Sequence, residues 1–486
     1  MSDGGSLVVS TTSQSQSFSE RRATAEDSAS QTYITSFIDD LKSSLQALGS
    51  DPDPRQLEDW ATLIHECLST ESRKFHSVHH VFEISAGCDP LQLLAAFFRD
   101  TINCSADGGL TPRQAAYVEG ILSRDKQYLA PTDDSVVLLI MDIFGLKQEQ
   151  CICDYEGINI YLSAILMARV LPLTEHQIFK VAALLEATIP FRGPNEIGET
   201  ALDILFQRVI AVNARRKLGS TEDEIVDLIQ RAADLNNRTL GNFASEDAVY
   251  FLDHTWSLLP EHSKALRRSL LYTVNDMCQA CDEMLRFLEG LDSSVVFQSF
   301  RGVPPDDETS FFEQRLSSNL EKGIKYIRAQ LLSTAIVSAV ATLTGGDAPM
   351  SFFAGDLPTH KYRSVRLGEN FPTFSYQKLY NCDRDVYLIL TRGRQLEQSF
   401  DTRNSPIAAF VYATLGDGGV ARALHECHQF PLTPEESQQL LRRLPRSNVM
   451  MIALDIAAIA VSRAEAIEDM LGELFGEDSN AKTAGV

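Results

Sequence analysis

After residue 100, four segments of this chain place a threonine three residues before glutamine or glutamate. The segments are Thr111-Pro112-Arg113-Gln114, Thr174-Glu175-His176-Gln177, Thr221-Glu222-Asp223-Glu224 and Thr433-Pro434-Glu435-Glu436. This is the chemistry of a helix start. The hydroxyl accepts a free backbone N–H of the first turn, the longer side chain returns to the cap N–H, and proline suits the first helical position. Around these starts, apolar residues recur at helical spacing, as in Ile34, Phe37, Ile38, Leu41, Leu45 and Leu48, and again in Trp60, Leu63, Ile64 and Cys67. His65, on the second of these runs, reads as a surface or packing residue. Further helices are expected near 134–145, 157–170, 175–188, 199–217, Glu222–Asn237 and Met277–Leu291. No strand alternation precedes residue 345, so the expected fold class is all-α.

A chain of 486 residues exceeds one ordinary core. The clearest internal punctuation is Gly302-Val303-Pro304-Pro305-Asp306-Asp307-Glu308, and the boundary is placed there. The expected layout is a disordered tail at 1–32, rich in Ser, Thr and Gln, a helical domain at 33–300, a mostly helical domain at 301–475 and a polar tail at 476–486. Within the second domain, Phe311–Leu343 reads as one long helix or two joined. Residues 345–378 read as irregular, Tyr387–Thr391 as a short strand, Gly416-Asp417-Gly418-Gly419 as a turn, and Val449–Leu471 as the closing helix.

Charge narrows the partners. The formal net charge is −23. That argues against nucleic acid, whose phosphates attract clustered Lys and Arg, and against an anionic membrane surface. The longest apolar runs, Leu331–Leu343 and Val449–Val461, fall short of the roughly 20 residues of a membrane helix and read as buried core. Nine scattered cysteines, without a basic n-region and apolar stretch at the N-terminus, imply reduced thiols and a cytoplasmic location. Cys278-Gln279-Ala280-Cys281 lacks the second pair of a zinc site and reads as core. His425-Glu426-Cys427-His428 lacks the i, i+4 spacing of a zinc helix and reads as surface and packing.

The stretch Phe75-His76-Ser77-Val78-His79-His80 holds three of the ten histidines. His76 and His80 are one helical turn apart and would share a face. Leu91–Phe98 is apolar all round, hence deeply buried, and Asp100 ends that run inside the core. A buried carboxylate is expensive unless it is paired or coordinates a metal, so something cationic must meet it.

Phe75–His80 is similar to the Tyr-His-Asn-x-x-His signature of HD-domain phosphohydrolases and cyclic-nucleotide phosphodiesterases. Leu94-Ala95-Ala96-Phe97-Phe98-Arg99-Asp100 resembles the same family's LAAxFHD segment, with Arg99 where the His of the His-Asp pair belongs. Ala232-Ala233-Asp234-Leu235-Asn236-Asn237 resembles its ADLSN segment. The resemblance covers residues 33 to 290. It implies an HD-domain-like helical bundle in which His80, Asp100 and Asp234 hold a divalent metal (Mn, Mg, Fe or Zn). Water on that metal would attack a phosphate ester of a small phosphate-containing ligand, and His76 would protonate the leaving oxygen. Glu186 would be an outer-shell carboxylate or a second-metal contact.

Arg99 departs from this pattern. A guanidinium has no lone pair and cannot replace an imidazole ligand. Either it turns to grip substrate phosphate, or it swings in and pairs with Asp100 or Asp234 without a metal. His79, adjacent to His80, should point roughly 100° away on a helix. Three functions stay open: a metal-dependent phosphohydrolase, an inactive HD-like scaffold that binds a ligand or protein, and an α-helical interaction protein, with a homodimer as one form, using the segment after residue 305.

Overall fold

The structure is a computed structural model, and it describes residues 32–268, 271–357, 365–375, 379, 381–427 and 429–476. The chain is all-α: among the described residues, the strand-like pairings are isolated bridges such as Leu122 with Leu129. In the first half the helices are α1 (Tyr33–Ala47), α2 (Pro54–Leu68), α3 (Val78–Ser85), α4 (Pro90–Arg99), α5 (Cys104–Asp107), α6 (Pro112–Tyr117), α7 (Ser135–Phe144), α8 (Ile158–Val170), α9 (Glu175–Ala187), α10 (Ala201–Arg216) and α11 (Glu222–Thr239). There follow α12 (Ala248–His262), α13 (Val274–Gly290), α14 (Asp306–Leu343), α15 (Met350–Ala354), α16 (Arg384–Arg392), α17 (Pro406–His425), α18 (Pro434–Arg443), α19 (Arg446–Ile459) and α20 (Ala464–Phe475).

Local chemistry starts these helices. All four expected capping boxes form, at Thr111, Thr174, Thr221 and Thr433. Asp53, Asp89, Thr200 and Thr273 build four more with Gln56, Gln92, Asp203 and Asp276. Each such cap stabilises its helix by about 1 kcal/mol. The expected tails at 1–32 and 476–486 lie outside the described residues, apart from Thr32, whose hydroxyl caps α1, and Gly476, which ends α20.

Apolar packing falls into two clusters. The first runs from Phe37 to Leu235 and includes Phe300, and within it α4 packs against α1, α3, α8, α9 and α11. The second runs from Leu240 to Leu471 around α14, with α13, α17 and α18 against it. The seam therefore lies at the end of α11, ahead of the boundary placed at Gly302–Glu308. That punctuation is a tight turn, bridged between Phe300 and Val303, which feeds α14 directly. α14 has the length and composition to cross a bilayer, yet 83% of its apolar window is buried inside the protein, as befits a core helix. Cys278 and Cys281 are buried in the second cluster, and burial pushes both thiols up.

Three local expectations change. Tyr387–Thr391 is helical, within α16. Its apolar run is too short to reveal its period, and Asp383, accepting from Asp385 and Val386, caps a helix there. Gly416–Gly419 lies inside α17, which kinks at Gly416 through φ 70°; a Cβ there would also meet the Asn381 carbonyl. The closing helix breaks at Ala460–Arg463 into α19 and α20.

Gly323 lets α12 lie close to α14: a Cβ on it would sit 2.8 Å from Phe251 Cε1. Gly323→Val should therefore cost about 1–3 kcal/mol by overpacking, despite its better helix propensity. Urea denaturation measures this, and an unchanged midpoint would contradict the close approach.

Candidate functional site

α4 ends inside the first cluster, and its last residues carry the charge. Arg99 and Asp100 are each only 6% exposed. Arg99 Nη1 donates to both Asp100 oxygens, at 2.7 Å each, and Nη2 reaches the Thr188 carbonyl at 3.5 Å. As the C-cap of α4, Asp100 faces the negative end of the helix dipole, so its charge needs compensation. Burial alone would raise its carboxyl. Arg99 beside it, with His76 and Arg73, holds it well below the usual carboxylate range.

The segment before α3 is tied down by two buried acids. Arg73 makes a two-pronged pair with Asp107, both contacts at 2.8 Å. Glu261, in the last turn of α12, accepts the backbone N–H groups of Phe75 and His76 through Oε1 and holds His76 Nδ1 at 2.6 Å through Oε2. Ser77 then caps α3. One turn on, His80 is buried, its ring 4.6 Å from that of Phe75 and 6.2 Å from that of His76. Its Nε2 is buried without a hydrogen-bond partner, and its Nδ1 lies 3.9 Å from Glu83. Burial drives the His80 imidazole below its ordinary range, against the pull of Glu83. His79 points outward to Glu83, as helical spacing requires.

Of the residues singled out in the sequence, His76, His80, Arg99 and Asp100 gather in one polar cluster, where their charges act on one another. Asp234 does not join them. It pairs with Arg238 at 2.8 Å and accepts from Gln92 Nε2 at 3.1 Å. Gln92 lies in the first turn of α4 and Asp100 at its end, a rise of about 12 Å over eight residues. Glu186 is likewise engaged elsewhere, by Arg192 and Arg208. Among the described residues, no three His, Cys, Asp or Glu side chains converge as a metal cage. The donor set does not fit a divalent ion: both Asp100 oxygens are occupied by a guanidinium, and Asp234 is at the other end of the helix.

The partners that sequence reasoning missed are Glu261, Arg73 and Asp107. None carries a local signal, because Glu261 meets His76 across 185 residues. What the cluster can do chemically is narrow. With Nδ1–H donated to the Glu261 carboxylate, His76 would present a lone pair at Nε2 and could exchange a proton there. Comparison with protein-family models, curated proteins and solved structures finds no match to this chain.

The cluster sets a pH dependence. Burial lowers the folded His80, and His254 and His262 as well. Unfolded histidines bind protons near pH 6.5, so below about 6.5 unfolding takes up protons and stability falls. Glu83, Asp100 and Glu261, all held low, add a second loss as the unfolded carboxylates protonate near pH 4. The unfolding free energy should drop between pH 7 and 5, by at most about 1.4 kcal/mol per pH unit for each histidine. His80→Phe should flatten that slope, and the same slope in the variant would rule out His80 as a titrating group.

Proposed function

We propose that this chain is a catalytically inactive, HD-like helical scaffold that serves as a ligand- or protein-binding module. In it a guanidinium stands where the HD family keeps a divalent metal. The observation that carries this reading is the Arg99 Nη1 contact with both oxygens of Asp100. A fixed cation in that position repels a metal ion and occupies its best remaining ligand. The three HD-like segments, in their order along the chain, supply the family part of the reading.

A metal-dependent phosphohydrolase is the second reading, and one observation favours it. His76 is oriented by a buried carboxylate, the arrangement that a general acid or base requires.

Metal content by mass spectrometry, on protein purified without chelator, separates the two. The scaffold reading expects no bound Mn, Fe, Mg or Zn in the native chain and none in Asp100→Ala. It also expects a measurable gain in Arg99→His, where an imidazole beside Asp100 and His80 restores three donors. Near-stoichiometric metal in the native protein that Asp100→Ala loses would overturn the scaffold reading in favour of the hydrolase. An absence of metal in both the native chain and Arg99→His would remove the HD relationship.

A further inference from the structure

The second cluster contains a cleft of about 710 Å³ between α14, α15 and the segments at 366–370 and 401–407. None of its lining residues belongs to the Arg99–Asp100 site, so a ligand held here would be independent of the scaffold reading. Its volume is that of a small-molecule site. Its floor is apolar, with Met277, Val337 and Met350.

The polar wall has a consistent sense. On the C-terminal half of α14, Gln330, Ser333 and Thr334 line the cleft at helical spacing. Three of their four donor hydrogens are engaged within the protein. Gln330 Nε2 donates to the Tyr326 hydroxyl at 3.0 Å, while the Ser333 and Thr334 hydroxyls donate to the Gln330 carbonyl at 2.8 and 2.9 Å. On the opposite wall, the Thr402 hydroxyl donates to the Asn404 carbonyl at 2.9 Å. The hydroxyl oxygens of Ser333, Thr334 and Thr402 keep lone pairs for a ligand.

A carboxylate adds to them. Asp401 lines the cleft, and its ion pair with Arg394 is long, at 3.4 Å. Arg394 is shared: it also donates to the Tyr326 hydroxyl and the Thr402 carbonyl. Burial pushes the Asp401 carboxyl up, outweighing Arg394 and Arg366. Arg366, the cation among the cleft's described lining residues, directs Nη1 to the Asp356 and Gly355 carbonyls, at 2.8 and 3.4 Å.

We propose that this cleft binds a small organic cation, its ammonium group on Asp401 and the oxygen wall of Gln330 and Thr334, its apolar body over Met277, Val337 and Met350. An ammonium supplies three donors to the Asp401 carboxylate and these oxygens, and its charge adds to the compensation of Asp401.

The test uses the full chain and three probes with a common phenyl body: phenethylamine as the cation, 2-phenylethanol as the neutral analogue and phenylacetate as the anion. Binding is followed by ligand-observed NMR. The expected result is binding of phenethylamine in preference to the other two, weakened roughly tenfold or more in Asp401→Asn. Thr334→Val, a change of nearly constant volume, should also weaken it, and keeps the test sound if Asp401→Asn fails to fold. Equal binding of all three probes, no binding of phenethylamine to the native chain, or undiminished binding in a folded variant would each overturn the proposal. The metal content of the native chain has no bearing on any of these outcomes.

Discussion

A carboxylate at the C-terminal end of a buried helix is the constraint to which the first half of this molecule is fitted. Asp100 meets burial and the negative pole of α4 at once. Both disfavour its charge, and an unpaired ion there would cost several kcal/mol. Arg99 supplies the nearest answer: its guanidinium folds back onto the neighbouring carboxylate and satisfies both oxygens. The pair forms in a setting where Coulomb attraction is strong but desolvation is also large, so its net contribution to stability is small compared with the cost of breaking it.

The other members of the cluster obey the same balance. Arg73 is buried and needs an anion, which Asp107 provides from the C-terminal residue of the short helix α5. Glu261 is buried and receives two backbone N–H groups and an imidazole. These contacts fix the segment from Arg73 to Ser77, and so set where α3 begins and where His80 enters the core. Burial holds the His80 imidazole below its ordinary range, and its Nε2 has no hydrogen-bond partner. A site organised in this way compensates its own charges, which is why a small cation has no vacant ligand set there.

Helix starts were legible in the sequence because capping is local: Thr221 and Glu224 are three residues apart, and no distant contact can reverse their chemistry. The burial of Leu91–Phe98 was legible for a similar reason, since an all-round apolar helix has nowhere else to go. The set of residues meeting at Asp100 was only half legible. Arg99 adjoins it and His76 and His80 sit on or beside the preceding helix, whereas Asp234 depends on which end of α4 the helix α11 crosses. Gln92 and Arg238 decide that, through contacts that no spacing encodes. Glu261 was invisible because its role is to bind backbone groups of a segment far away in sequence. Tyr387–Thr391 failed differently: five residues are too few to distinguish a period of two from one of 3.6.

The central claim is that Arg99 and Asp100 act as one unit whose charges exist for each other. A double-mutant cycle with Arg99→Met and Asp100→Asn, read by chemical denaturation, tests it directly. Each single change should cost about 3–5 kcal/mol, because it leaves a buried group without its partner. The double change should cost less than the two together, with a coupling of about 1–3 kcal/mol. Additive costs, within about 0.5 kcal/mol, would contradict the claim and show that each side chain is held by other partners.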